Sequence, residues 1–235
     1  MAISTVMKNL SMATIGATFI ALSTLGVSKA EAAVIVLDFE GVGDIEYVGD
    51  FYNKAPHDFN ITFSRNALGL VDSDAGGSGN FGGEPSPDTI LYFLDGSGVT
   101  LNARNGFDTG LSFFYSAVNK AGFVNIYSGV RATGDLLASI PYLPLTTFNG
   151  APDPTGEFSP FVPISISFSG IAKSVEFGGT KNEIAFDNIT LGSVIPGGSK
   201  SVPEPGSILG VLAVGAFGAN TLLKRKQQQK ATAKA

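Results

Sequence analysis

The sequence predicts an all-β body, an antiparallel sandwich or jelly roll, set between a short apolar helix at each end. Three observations predict it. Apolar residues recur in short runs, alternating or continuous, separated by clusters of Gly, Pro, Asn and Asp. No stretch of the body keeps the 3.6-residue period of a long helix. Two uncharged stretches, residues 10–27 and 207–223, bracket that body.

From the N-terminus, Lys8 precedes the uncharged run, and small residues follow it at Ser28, Ala30 and Ala32. This is the pattern of a secretory signal peptide over residues 1–32, with cleavage after Ala30 or Ala32 meeting the small-x-small rule. A retained helix is the alternative, but the run is rich in Ser and Thr and weakly apolar for a permanent span.

The body follows over residues 33–194, long enough for one core that buries about 70% of the unfolded surface. Its strand-forming runs are 34–37, 59–63, 67–71, 90–94, 111–118, 123–127, 136–140, 162–168, 175–177 and 184–191. In Phe59-Asn60-Ile61-Thr62-Phe63 and Ile164-Ser165-Ile166-Ser167-Phe168 the alternation is clean, as expected of an antiparallel sheet with one wet face. Residues 72–88 make the longest irregular stretch, and a loop of that size in a compact domain is functional or mobile.

Residues 195–206, rich in Pro and Gly, read as a stalk. The 17 residues of 207–223 rise about 25 Å as a helix, enough to cross a thin hydrocarbon core. Lys224, Arg225 and Lys226 open a basic tail, 224–235, that stays cytoplasmic by the positive-inside rule and stops transfer. The body then lies on the far side of the membrane, where the signal peptide also sends it.

The order of Pro203-Glu204-Pro205, apolar helix and basic triplet resembles the PEP-CTERM sorting signal of exported bacterial proteins. The resemblance implies that an exosortase-type membrane enzyme recognises the motif and cuts near it, passing the body to the cell surface or extracellular matrix. The tail here continues past the triplet to Ala235, longer than that pattern. The ends of the body, Asp38-Phe39-Glu40-Gly41 and Phe186-Asp187-Asn188-Ile189, also resemble those of carbohydrate-binding-type jelly rolls, in which first and last strands are neighbours.

The chain of 235 residues has no Cys, no Trp and one His, which excludes thiol chemistry and a Cys/His zinc site within one chain. Residues 33–199 hold 18 acidic and 7 basic side chains, a net charge of −11. Such a body repels phosphate backbones, so nucleic acid is not an expected partner, and cations are admissible. Asp38 and Glu40 stand two apart on one strand and share a face; Asp187 joins them if first and last strands pair. Three converging carboxylates without a basic partner predict Ca²⁺, and the jelly-roll resemblance implies a structural calcium in the same region. The alternative has Asp38 in solvent and Asp187 capping a turn.

A second metal loop is drawn from Asp72, Asp74, Asn80, Glu84 and Asp88, the alternative being a flexible surface loop. It is not an EF-hand, because Gly76 and Gly83 occupy the fifth and twelfth positions. No Lys follows its glycines, so it is not a phosphate loop.

Enzyme signatures are sparse. His57 sits in Pro56-His57-Asp58, a polar turn that predicts an exposed histidine, and no G-x-S-x-G elbow occurs. Sugar binding without catalysis would draw its aromatic platforms from the six Tyr. The sequence therefore points to an exported, membrane-anchored and then surface- or matrix-associated structural or binding protein, calcium-stabilised and glycan-binding. The alternative is a secreted polysaccharide-acting hydrolase or lyase on a jelly roll.

Overall fold

The computed structural model of the chain describes residues 33–117, 119–146 and 158–198. The expected signal peptide, the motif Pro203-Glu204-Pro205, the span 207–223 and the tail led by Lys224, Arg225 and Lys226 lie outside the described residues. Among the described residues no helix is long and apolar enough to cross a membrane.

The described body is all-β. Its strands are β1 (Ile35–Leu37), β2 (Ile61–Phe63), β3 (Leu68–Val71), β4 (Thr89–Tyr92), β5 (Gly98–Phe107), β6 (Gly110–Ser116), β7 (Phe123–Tyr127), β8 (Leu136–Ile140), β9 (Val162–Ser167), β10 (Ala172–Gly178) and β11 (Ala185–Leu191). A single 3₁₀ turn, Phe51–Asn53, is the helical element among the described residues. One sheet runs β3-β4-β11-β6-β9, with β1 also on β11; the other runs β2-β5-β10-β7-β8, and every pairing is antiparallel.

The two sheets stack face to face through aromatic rings. Phe177 of β10 meets Phe113 of β6 edge-on at 5.4 Å between centroids and Phe186 of β11 at 5.1 Å. All three are fully buried, and each such edge-to-face pair contributes about 1 kcal/mol beyond its area. Inward positions alternate with outward ones: Val99, Leu101 and Ala103 are buried on β5, Val124 and Ile126 on β7. A second, smaller core lies on the outer side of the first sheet, where Ile90 and Ala185 are covered by Phe81 and Phe161.

The strand β5, 10 residues long, is absent from the runs expected from sequence. Its outward residues, Thr100, Asn102 and Arg104, and its small inward Ala103 give no sustained apolar signal. Pairing on both sides, with β2 and β10, is what holds it extended.

The placement of β1 sets up the rest. It pairs with the C-terminal half of β11, Ile35 opposite Leu191 and Leu37 opposite Ile189. β4 takes the other half at Phe186, opposite Leu91. The expected neighbourhood of first and last strands is therefore present, and β1 and β4 meet end to end along β11.

Candidate functional site

At that junction the chain leaves β1 through Asp38, Phe39 and Glu40. Phe39 is buried with φ of 62°, an uncommon conformation for a side chain this bulky, and its N–H donates to the Tyr52 hydroxyl at 2.6 Å. Across from it the β6–β11 register slips between Asp187 and Thr190, with Asn188 at φ 45°. Such a bulge re-aims side chains. Phe186 faces the core and Asp187 the outer side, where it is fully buried.

Asp187 is held by donors from two segments. Its Oδ2 accepts the Ser86 N–H at 3.1 Å and contacts Ser86 Oγ at 2.6 Å, while Oδ1 accepts the Asn188 N–H at 2.6 Å. Ser86 Oγ also donates to the Asp38 carbonyl at 3.0 Å. Glu40 Oε1 accepts the N–H groups of Asp88 at 3.0 Å and Thr89 at 2.9 Å, closing the entry to β4. Asp38 Oδ1 accepts the Glu40 N–H at 3.3 Å.

Burial raises the Asp187 carboxyl to about 7; the bonds from Ser86 and Asn188 pull it down and the Glu40 charge pushes it up. Burial also drives the Tyr52 hydroxyl far above its ordinary value, with the Phe39 N–H opposing and the charges of Asp38, Asp187 and Glu40 adding to the rise. The three carboxylates singled out from sequence are thus brought to one corner. Their hydrogen bonds run to backbone N–H groups and Ser86, each fastening a different connection. Among the described residues no group of three or more His, Asp or Glu side chains is arranged to hold a metal. As placed, this donor set does not form the oxygen cage that Ca²⁺ requires.

The residues of the second predicted loop lie at different depths. Asp72 is buried and its Oδ1 accepts the Ser73 N–H at 2.6 Å; Asp74, Asn80 and Asp88 are exposed and Glu84 half-buried. Two of its glycines serve close packing. A Cβ on Gly77 would stand 2.1 Å from the Val71 carbonyl oxygen, and one on Gly79 2.4 Å from the Phe81 ring. Phe81, buried and edge-on to Phe161 at 6.2 Å, anchors the loop.

His57 departs from the expected exposed turn. It is half-buried among Phe51, Tyr52 and Phe59, with centroids 4.9, 5.0 and 5.6 Å away. Aromatic packing, invisible in the local polar sequence, holds it there.

Sequence reasoning missed Ser86 and Tyr52. Ser86, between Pro85 and Pro87 in an irregular stretch, carries no local signal, since its partners lie 48 and 101 residues away. A cleft on the outer side of the first sheet is lined by Phe81, Tyr92, Phe158, Asn80 and Asn182 among others.

No protein-family model and no curated protein matches the chain. Among solved structures it is similar to two cleaved adhesin domains of Lys-gingipain from Porphyromonas gingivalis W83. The K1 domain is 11% identical with a TM-score of 0.43, over 68% of this chain and 98% of that one. The K3 domain is 17% identical with a TM-score of 0.41, over the same shares of each chain.

Proposed function

We propose that the chain is an exported, non-catalytic binding or structural protein of the cell surface or extracellular matrix, sorted through Pro203-Glu204-Pro205 and able to bind glycans. The terminal segments support the address: signal peptide, stalk, apolar span and basic triplet agree on one orientation across the membrane. The strand orders β4-β11-β6-β9 and β5-β10-β7-β8 support the jelly-roll form of the sandwich.

The observation that carries the non-catalytic half is the burial of Asp187. A carboxyl raised to about 7 is the kind of group a hydrolase uses as general acid. To act it must touch substrate. Asp187 has 0% of its surface exposed and its oxygens face Ser86 and Asn188, so it fastens strands instead. Glu40 is engaged the same way.

Sorting is tested by fractionating cells that express the full chain with Pro203 and Glu204 replaced by Ala. The wild-type body is expected, shortened, at the surface or in the matrix, and the variant full-length in the membrane. Equal size and location for both would contradict the sorting role.

A further inference from the structure

The outer side of the sheet β2-β5-β10-β7-β8 carries a row of hydrogen-bonding groups that neither the carboxylate corner nor the core uses. Cross-strand pairing sets Ser139, Asn125, Glu176 and Thr100 side by side on β8, β7, β10 and β5. Their chain neighbours are apolar residues buried in the core or, for Ala138 and Ile140 on β8, partly buried against it, so the row faces outward. The groups are oriented by one another: Ser139 Oγ donates to Asn125 Oδ1 at 2.7 Å, and Asn125 Nδ2 donates to Glu176 Oε2 at 3.1 Å. The Tyr127 hydroxyl approaches the same Oε2 at 3.5 Å.

Two rings flank the row on β7. Phe123 and Tyr127 are four residues apart, about 13 Å along the strand, and both are half-buried. The Phe123 ring rests over Gly178, where a Cβ would stand 2.1 Å from its Cζ, so this glycine is the seat of the ring. On the far side of Tyr127 the 128–135 connection folds back on the sheet: the Arg131 N–H donates to Asn102 Oδ1 at 2.6 Å and the Ala132 N–H to Ser174 Oγ at 3.0 Å. That connection covers Asn102 and Ser174, which share a row with Tyr127, and walls the Glu176 row on that side.

We propose that this strip binds a neutral polysaccharide, with sugar rings stacked on Phe123 and Tyr127 and hydroxyls bonded to Asn125, Glu176 and Ser139. The proposal rests on the glycan-binding part of the reading above and gives it a surface and a ligand class. Aromatic rings meet the apolar faces of sugars, while amide, carboxylate and hydroxyl groups exchange hydrogen bonds with sugar hydroxyls. Charge selects against acidic glycans: the one ionised side chain of the row is a carboxylate, on a body of net charge −11 over residues 33–199.

The test is affinity electrophoresis of the full chain, in mild detergent, through gels holding hydroxyethylcellulose, soluble starch or alginate. Retardation is expected from at least one neutral glucan and none from alginate. Tyr127→Ala and Glu176→Gln should each weaken it about tenfold. Ser139→Ala, at an exposed edge-strand position, should weaken it several-fold with melting unchanged, so a folding defect in the other two does not decide the result. Undiminished retardation of all three variants overturns the surface while the glycan-binding reading stands. Retardation lost instead in Asn80→Ala assigns binding to the cleft on the other sheet and overturns the strip. Retardation by alginate overturns the neutral class, and retardation by neither glucan overturns the proposal and the reading together.

Discussion

Ser86 Oγ lies 2.6 Å from Asp187 Oδ2, joining two residues 101 positions apart, and also 3.0 Å from the Asp38 carbonyl oxygen. A hydroxyl has one hydrogen and here two acceptors. The chain of bonds is complete when Asp187 is neutral, its O–H donating to Ser86 Oγ and Ser86 donating to Asp38. One serine thereby holds β1, the 72–88 loop and β11 together.

Removing that hydroxyl takes one partner from the buried Asp187 carboxyl and one from the part-buried Asp38 carbonyl. Ser86→Ala should cost about 2–3 kcal/mol, lowering the melting temperature by about 5–10 °C for a body of this size. Thermal melting of the variant checks this, with Ser165→Ala, on the exposed side of β9, as the neutral control.

Acidity should stabilise this fold relative to a variant without the buried acid. Asp187 titrates at about 7 in the folded state against 3.8 ordinarily, so across that window the folded state holds a proton that the unfolded chain has released. The contribution is fully present below about pH 4 and is lost as pH rises to about 7, by about 4 kcal/mol at most. Urea unfolding of wild type and Asp187→Asn across this range should show a slope in the difference between them. Parallel pH profiles would contradict the assignment.

Calcium should leave the melting temperature unchanged. The carboxylates of Asp38, Glu40 and Asp187 already accept protein hydrogen bonds, and binding there would require breaking them. Melting in EDTA and in millimolar Ca²⁺ checks this. A rise of several degrees with calcium, abolished by Asp187→Asn, would restore the cation site.

Gly77 should be intolerant of a side chain because its loop folds against Val71. With backbone 2.1 Å from the added Cβ, Gly77→Ala should cost about 1–3 kcal/mol by urea unfolding. A neutral outcome would mean that the loop is not packed as described.

Much of the sandwich is legible in sequence because strands such as β7 and β8 are short apolar runs bounded by turn residues, and their limits, 123–127 and 136–140, coincide with those runs. The meeting of Asp38 with Asp187 follows from pairing the first strand with the last. What escapes is non-local. β5 is extended because two neighbours hold it, His57 is half-buried because three rings surround it, and Ser86 matters through partners far along the chain. Strand spacing brings the carboxylates together but does not say where each oxygen points, which the bulge at Asn188 and the turn at Phe39 decide.

The proposed role of the body is binding without catalysis, with Asp187 buried as a fastener. The most direct measurement incubates the full chain with hydroxyethylcellulose and with soluble starch, following retention and new reducing ends together. Retention with no new ends above the protein-free blank is the predicted result. New ends accumulating with wild type and not with Asp187→Asn would contradict it and make the chain a polysaccharide-cleaving enzyme.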